Sequence, residues 1–328
     1  MNKRILVIRF SSLGDIILTT PVLRALRKQY PRAEIHFLTK AKFKEAIEHH
    51  PVPDKIIYLK ESLAETVQWL QEQRYDMVID LHDSLRSLFI RFQLNAKKYV
   101  YPKGRWKRWL YLKTGIGKPD QRHIVQKYMA ALKPLGMYED EQGLDFRIDA
   151  RIQADVQQLC TQEFLGQAPV AIVLSATWYT KKMPAEKYIR FLHSLNAPFV
   201  LLGGTTEQAE AEQIMSKVQG GINLCGKTSL QESAAWLKLS SLVVTHDTGL
   251  MHIAAALQKI TFVIWGNTVP ELGMYPWKTE FYNFEIRNLD CRPCTHLGYP
   301  KCPKAHFACM NSHDPDKMAE KVRYILQE

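Results

Sequence analysis

The chain has no apolar run approaching the roughly 20 residues that a membrane-spanning helix needs. It shows no signal peptide: a short apolar N-terminal stretch runs into Ser11-Ser12-Leu13-Gly14-Asp15 instead of a small-residue cleavage site, which predicts a cytoplasmic protein. Neither half carries Gly-x-Gly-x-x-Gly after its first strand, and Gly-x-x-x-x-Gly-Lys-Ser/Thr does not occur. Those absences count against a dinucleotide dehydrogenase and a P-loop nucleoside triphosphatase. There is no low-complexity tract and no short-period repeat. Six cysteines in 328 residues do not make a disulfide scaffold. Acidic residues are the minority, 33 Asp and Glu against 44 Lys and Arg, for a net charge of +11. The excess implies an acidic partner: nucleic acid, an anionic membrane surface or a phosphorylated substrate.

What remains is a soluble globular composition, 46% hydrophobic and 23% charged, long enough for two domains with separate cores. Strand-like segments are predicted at residues 4–10, 34–38, 55–59 and 76–80, and again at 170–174, 199–202, 222–224, 241–245 and 260–265. Helical patterns cover 16–30, 185–194, 206–218, 230–239, 250–257 and 316–327. This alternation in both halves argues for two α/β domains with parallel sheets, residues 1–150 and 151–328. The joint falls between residues 135 and 168, where Gly136, Gly143, Gly166 and Pro169 break the pattern.

Two strand-to-helix junctions carry the chemistry. In Val243-Val244-Thr245-His246-Asp247-Thr248-Gly249-Leu250-Met251-His252, an apolar run stops at a polar turn and a helix follows at once. The first amides of that helix lack intrahelical partners and its dipole favours an anion. Thr248 and His252 lie four apart on one face. A phosphorylated ligand and a plain cap by Asp247 use the same amides, so both readings stand. The other junction, Ser11-Ser12-Leu13-Gly14-Asp15, follows the first strand. Gly14 permits close backbone approach and Asp15 offers an ionised carboxylate, a candidate general base. A capping box of Ser12 and Asp15 is the alternative.

Ser175-Ala176-Thr177-Trp178-Tyr179-Thr180-Lys181-Lys182 leaves the first strand of the second half, and its lysines could hold a diphosphate or form a solvated loop. Gly203-Gly204-Thr205-Thr206-Glu207 ends another strand, placing Glu207 to accept from ribose hydroxyls or to sit in a first helical turn. Segment 103–113 mixes Trp106 and Trp109 with cations; it suits an anionic bilayer surface or single-stranded nucleic acid, although an inward-packed amphipathic helix is the simpler reading. Cys291, Cys294, Cys302 and Cys309, with His296 and His306, resemble a zinc knuckle, but the second Cys-x-x-Cys is missing and a loop-packing thiol cluster is preferred.

Together these segments resemble glycosyltransferase family 9, the ADP-heptose:lipopolysaccharide heptosyltransferases, over nearly the whole chain. The most specific pairing is Gly226-Lys227-Thr228-Ser229-Leu230 followed by Asp247-Thr248-Gly249-Leu250-Met251-His252, with the ending Cys291-x-Pro293-Cys294, Cys302-Pro303 and His306-x-x-Cys309-Met310. The resemblance implies a GT-B fold, two Rossmann-like parallel-sheet domains facing across a cleft. It assigns the N-terminal domain to the acceptor and the C-terminal domain to the nucleotide-sugar, with the last helix, about 315–328, able to return to the N-terminal domain. It implies Asp15 as catalytic base with Ser12 and Gly14 beside it, Thr177 and Lys181 or Lys182 on the diphosphate, and Glu207 on the ribose. Asp247, Thr248, Gly249 and His252 are implied on the donor sugar and phosphate. Met183 departs from the family's usual tryptophan, leaving open which lysine meets the phosphate.

The expected protein is therefore an inverting heptosyltransferase of the lipopolysaccharide inner core, without cofactor or metal, using ADP-heptose and an anionic lipid A–core acceptor at the cytoplasmic surface of the inner membrane. Another nucleotide-sugar or acceptor on the same scaffold is the alternative. A nucleic-acid-binding protein would explain the charge but not Asp15, Glu207 and Asp247, since carboxylates in a phosphate groove repel.

Overall fold

In this computed structural model the described residues are 3–104, 109 and 120–327. They divide into two compact units. The first holds 3–104 and 122–147; the second holds 148–327, with residues 109, 120 and 121 grouped with it. Of the basic, aromatic segment 103–113, residues 105–108 and 110–113 lie outside the described residues.

The first unit is a parallel sheet of β1 (Arg4–Ile8), β2 (Glu34–Thr39), β3 (Lys55–Tyr58), β4 (Met77–Asp80) and β5 (Lys97–Val100), in the order β3-β2-β1-β4-β5. Ile5, Leu6, Val7 and Ile8 are all fully buried, the continuous apolar run of a strand covered on both faces. The crossovers are α1 (Leu13–Ile17), α2 (Thr20–Gln29), α3 (Leu63–Glu72) and α4 (Leu85–Gln93), and α5 (Ile124–Met129) follows β5. The single helix expected over 16–30 is two. Pro21, in the first turn of α2, has no N–H to continue α1, and the Thr19 and Thr20 hydroxyls donate back to Ile16 O and Ile17 O at 2.7 and 2.8 Å.

The second unit begins with α6 (Ala150–Phe164), which covers part of the span expected to be joint. Then come β6 (Val170–Val173), α7 (Ala185–Leu195), β7 (Phe199–Leu202), α8 (Gln208–Met215), β8 (Gly221–Asn223), α9 (Leu230–Leu239), β9 (Val243–His246), α10 (Gly249–Ala256), β10 (Thr261–Trp265), β11 (Phe281–Glu285), α11 (Ala308–Asn311) and α12 (Pro315–Gln327). The all-parallel order is β11-β10-β9-β6-β7-β8. Counted from β6, each sheet runs outward in one direction and then restarts beside its first strand, the Rossmann arrangement whose ligand crevice opens at the restart. Those points are β1/β4 in the first unit and β6/β9 in the second. β5 and β11 were not anticipated from the sequence.

The resemblance left the return of the last helix to the first unit open. In the structure α12 packs on α7: Arg190 Nε donates to Asp316 at 2.8 Å, Ser194 Oγ to Asp316 at 2.6 Å, and Lys187 Nζ to His313 O at 2.6 Å.

At the carboxyl end of β10 the chain runs against the turn before α7. A Cβ on Gly266 would lie 2.3 Å from Thr180 O and 2.6 Å from Met310 Cε, so only glycine fits. Gly266→Ala is expected to cost about 1–3 kcal/mol by overpacking, read as a lower denaturant midpoint at unchanged m-value. An unaltered midpoint would show that the turn yields without cost.

Candidate functional site

Ser12 and Asp15 form one constellation in the first unit, and Lys181, Lys182, Glu207 and Asp247 a second in the other unit, each at or beside its sheet's restart point. In the first, β1 ends at Ile8 and α1 begins at Leu13, which puts Asp15 in the first helical turn. Ser12 N and Ser12 Oγ donate to Asp15 Oδ2 at 3.1 and 2.7 Å, and Arg9 Nη2 lies 2.8 Å from the same oxygen. Tyr128 on α5 donates its hydroxyl to Oδ1 at 3.0 Å. Burial alone would raise the Asp15 carboxyl. The Arg9 guanidinium, then Ser12 and Tyr128, outweigh burial and hold it at about 2. Gly14 is buried beside it. The Ser12–Asp15 contact expected of a capping box is present, yet the carboxylate is also ion-paired and remains one-fifth exposed.

Arg9 is fixed in turn: Nε donates to Ser11 O at 2.7 Å and Nη1 to Leu81 O at 2.5 Å. His82, which follows β4, packs on Phe10 with ring centroids 4.8 Å apart. Burial, then the charges of Arg9 and Lys103, push its imidazole down to about 3, so it is neutral at physiological pH.

In the second unit the turn Tyr179–Lys181 follows β6. Lys181 Nζ reaches Asp247 Oδ2 at 2.6 Å and Asp247 O at 3.3 Å, and Thr268 Oγ1 donates to the same Oδ2 at 3.0 Å. Asp247 is thus committed to Lys181 and Thr268 and does not cap α10, whose start at Thr248 and Gly249 has no side-chain cap. Lys182 turns to a different acid, Glu207, which also accepts from Gly204 N at 2.9 Å and Thr206 Oγ1 at 2.8 Å. The two adjacent lysines are therefore held by two acids from two different loops. Thr177 is exposed in the bend before the turn, and His252 is buried within α10.

Buried Thr180 anchors that turn. Its hydroxyl donates to Asn267 Oδ1 at 3.0 Å and accepts from Tyr299 N at 2.8 Å, while Asn267 N donates to Thr180 O at 3.3 Å. From the other side, His246 Nε2 accepts from Met183 N at 3.0 Å and lies 2.9 Å from the Tyr188 hydroxyl. Burial, then Lys182, lowers this imidazole to about 3, which keeps it a neutral acceptor.

Cys291, Cys294, Cys302 and Cys309 are free thiols. Cys291 Sγ lies 3.8 Å from His306 Nε2, and burial with the neighbouring thiols raises Cys309 to about 11. Among the described residues no three His, Cys, Asp or Glu side chains are grouped as a metal would require.

Sequence reasoning missed Arg9, Tyr128 and Thr268. An arginine ending an apolar strand at the ligand edge was a usable signal for Arg9. Tyr128 lies 113 residues from Asp15, and Thr268 lies 21 from Asp247, and no local pattern marks either.

Comparison with known proteins places these constellations in context. The family model for glycosyltransferase family 9 (heptosyltransferase) matches residues 63–302. Lipooligosaccharide heptosyltransferase 2 of Campylobacter jejuni is 24% identical, covering 96% of this chain and 96% of its own length. Among solved structures, a family 9 glycosyl transferase from Veillonella parvula superposes with a TM-score of 0.82 at 19% identity, over 100% of this chain and 98% of that one. The ADP-heptose lipopolysaccharide heptosyltransferase II of Escherichia coli gives 0.75 at 18% identity, over 99% and 98%. The architecture is GT-B in type, two Rossmann-like parallel-sheet domains.

The depressed Asp15 pKa has a stability consequence with a definite sign. The carboxylate prefers the folded state above its unfolded pKa, and that preference is lost as pH falls toward 2. A shift from 3.8 to about 2 corresponds to about 2 kcal/mol. The stability gap between wild type and Asp15→Asn should hold steady above about pH 5 and shrink as pH drops through about 4. Denaturant titration at several pH values checks this, and a gap indifferent to pH would contradict it.

Proposed function

The chain belongs to glycosyltransferase family 9, the heptosyltransferases, and from that membership we propose that it transfers a heptose, with inversion, from ADP-heptose to a phosphorylated lipid A/Kdo or heptose acceptor in lipopolysaccharide inner-core synthesis. The observation that carries the reading is Asp15: a carboxylate kept ionised by Arg9 at the ligand-binding edge of a Rossmann-type sheet, with one oxygen holding a single hydrogen-bond partner among the described residues. The names of the relatives support the donor and acceptor classes: the Escherichia coli neighbour is an ADP-heptose lipopolysaccharide enzyme and the Campylobacter relative acts on lipooligosaccharide.

In the proposed reaction the acceptor oxygen attacks the anomeric carbon and Asp15 takes its proton. The C–O bond to the diphosphate breaks, and its electron pair leaves with ADP. Negative charge grows on the departing diphosphate through an oxocarbenium-like state. Lys181, its neighbour Lys182, and the uncapped start of α10 at Thr248 and Gly249 stabilise that charge by preorganised electrostatics, and Thr177 adds a hydroxyl. These cations and amides are the grounds for a metal-independent mechanism. His252, one turn into α10, supports the donor sugar, and Glu207 receives the ribose hydroxyls.

Peripheral attachment to the cytoplasmic face of the inner membrane belongs to the same reading. It is supported by the +11 charge and by an apolar stripe on α4: Leu85, Phe89 and Phe92, spaced i, i+4, i+7, are 82%, 45% and 72% exposed. No helix among the described residues is long and apolar enough to cross a membrane.

Asp15→Asn is expected to retain ADP-sugar binding and to lose transfer by at least a hundredfold, the usual order for a positioned base. Retained turnover removes Asp15 from the mechanism. Lys181→Ala should weaken ADP more than adenosine in calorimetric titration; equal losses would put the diphosphate elsewhere. Turnover unchanged by EDTA would support metal independence, whereas loss restored by a divalent ion would end it. A thermal-shift screen of ADP-, UDP- and GDP-sugars tests the donor, since a true ligand stabilises by mass action.

A further inference from the structure

The four donors around Asp15 are divided unequally between its two oxygens. A carboxylate offers about four lone-pair sites, two on each oxygen. Oδ2 receives Ser12 N, Ser12 Oγ and Arg9 Nη2, all within 3.1 Å. That oxygen is saturated, and its donors come from the start of α1 and the end of β1. Among the described residues, Oδ1 accepts one hydrogen bond, from Tyr128 at 3.0 Å, which leaves it a second lone pair.

We propose that Tyr128 is a positioning residue for the transfer reaction, holding Asp15 so that Oδ1 is the atom that receives the acceptor proton. The proposal rests on Asp15 being the base, as argued above. Tyr128 is built for a fixed role. Its side chain is fully buried, its ring meets Tyr101 edge-on with centroids 4.9 Å apart, and the Arg9 guanidinium stands 5.4 Å from its centroid. The carboxylate is therefore clamped at both ends, by Arg9 and Ser12 on one oxygen and by a phenol on a separate helix on the other. Rotation about χ2 away from this orientation would break all four bonds at once.

The phenol is not itself the base. Burial pushes its ionisation far above the ordinary tyrosine range, so its proton stays in place and the group only donates. Among the described residues, the charged and titratable groups around Asp15 are Arg9 just past β1, neutral His82 after β4, and Tyr128 from α5 with Tyr101 behind it; Lys40 and Lys103 act on His82. Among these, the Tyr128 hydroxyl is the donor that touches the reactive oxygen. Its hydrogen bond favours the charged carboxylate, trading basicity for orientation. When Oδ1 gains the proton, the oxygen keeps its second lone pair toward Tyr128, so the clamp survives the step.

Tyr128→Phe keeps the ring and removes the donor. Turnover should fall about tenfold or more while KM for the ADP-sugar is unchanged, because no donor-binding residue is touched. The Asp15 carboxyl, followed by 13C NMR and assigned by its loss in Asp15→Asn, should titrate about one pH unit higher or more. Site-specific 3-fluorotyrosine at position 128, a more acidic phenol and stronger donor, should move that titration the opposite way with the fold intact. An unmoved titration, or turnover within about twofold of wild type, overturns the proposal while leaving Asp15 as base. Full transfer by Asp15→Asn overturns the base and this inference together.

Discussion

The guanidinium of Arg9, the residue after β1, donates to Leu81 O beyond β4 and to Ser11 O, and meets Asp15 at the first turn of α1. It is almost wholly buried, and an isolated charge in that position would carry a heavy desolvation penalty. Pairing removes much of that penalty for both partners. The cation fixes where the carboxylate can lie, and the carboxylate is what makes the cation tolerable there. Once the two are joined, the loop between β1 and α1 has little freedom left, and the loop after β4 is drawn to it through a carbonyl. The electrostatics around Asp15 are thus inherited from one ion pair and the strands that carry it.

Much of the architecture could be read from pattern because buried parallel strands are written as uninterrupted apolar runs. The segments around β1, β2, β6, β7 and β10 were found for that reason, and α9 was found residue for residue. What escaped lies where that signal fades. β5 reads Lys-Lys-Tyr-Val and sits at a sheet edge, where charge guards against further pairing and erases the apolar run. β11, Phe-Tyr-Asn-Phe-Glu, is an edge of the second sheet and mixes polar residues into its run. α6 is hidden by its company: glycines at 143 and 166 bracket it, and that pattern reads as a joint.

At the site, the residues that a strand-to-helix junction presents were legible, since Asp15, Lys181, Glu207 and Asp247 all follow strands at the ligand edge. Their partners were not. Tyr128 and Thr268 come from another helix and another loop, and only folding brings them into reach of Asp15 and Asp247. Local sequence predicts which side chains are offered at an edge; tertiary contact decides which atom of each is left unoccupied. The capping alternatives show the difference. Ser12 and Asp15 do touch as a cap would, but Asp247 is drawn away from α10 by an ammonium and a hydroxyl that local sequence does not connect.

Lys181 and Lys182 are each matched to their own carboxylate. That part of the second unit consequently presents two ion pairs rather than two bare ammonium groups. On the proposed reading, a diphosphate would have to out-compete Asp247 for the ammonium it holds, which a singly charged acid or a chloride ion does poorly and a polyanion does well. Selectivity against common anions would then be set by an internal rival rather than by the shape of a pocket.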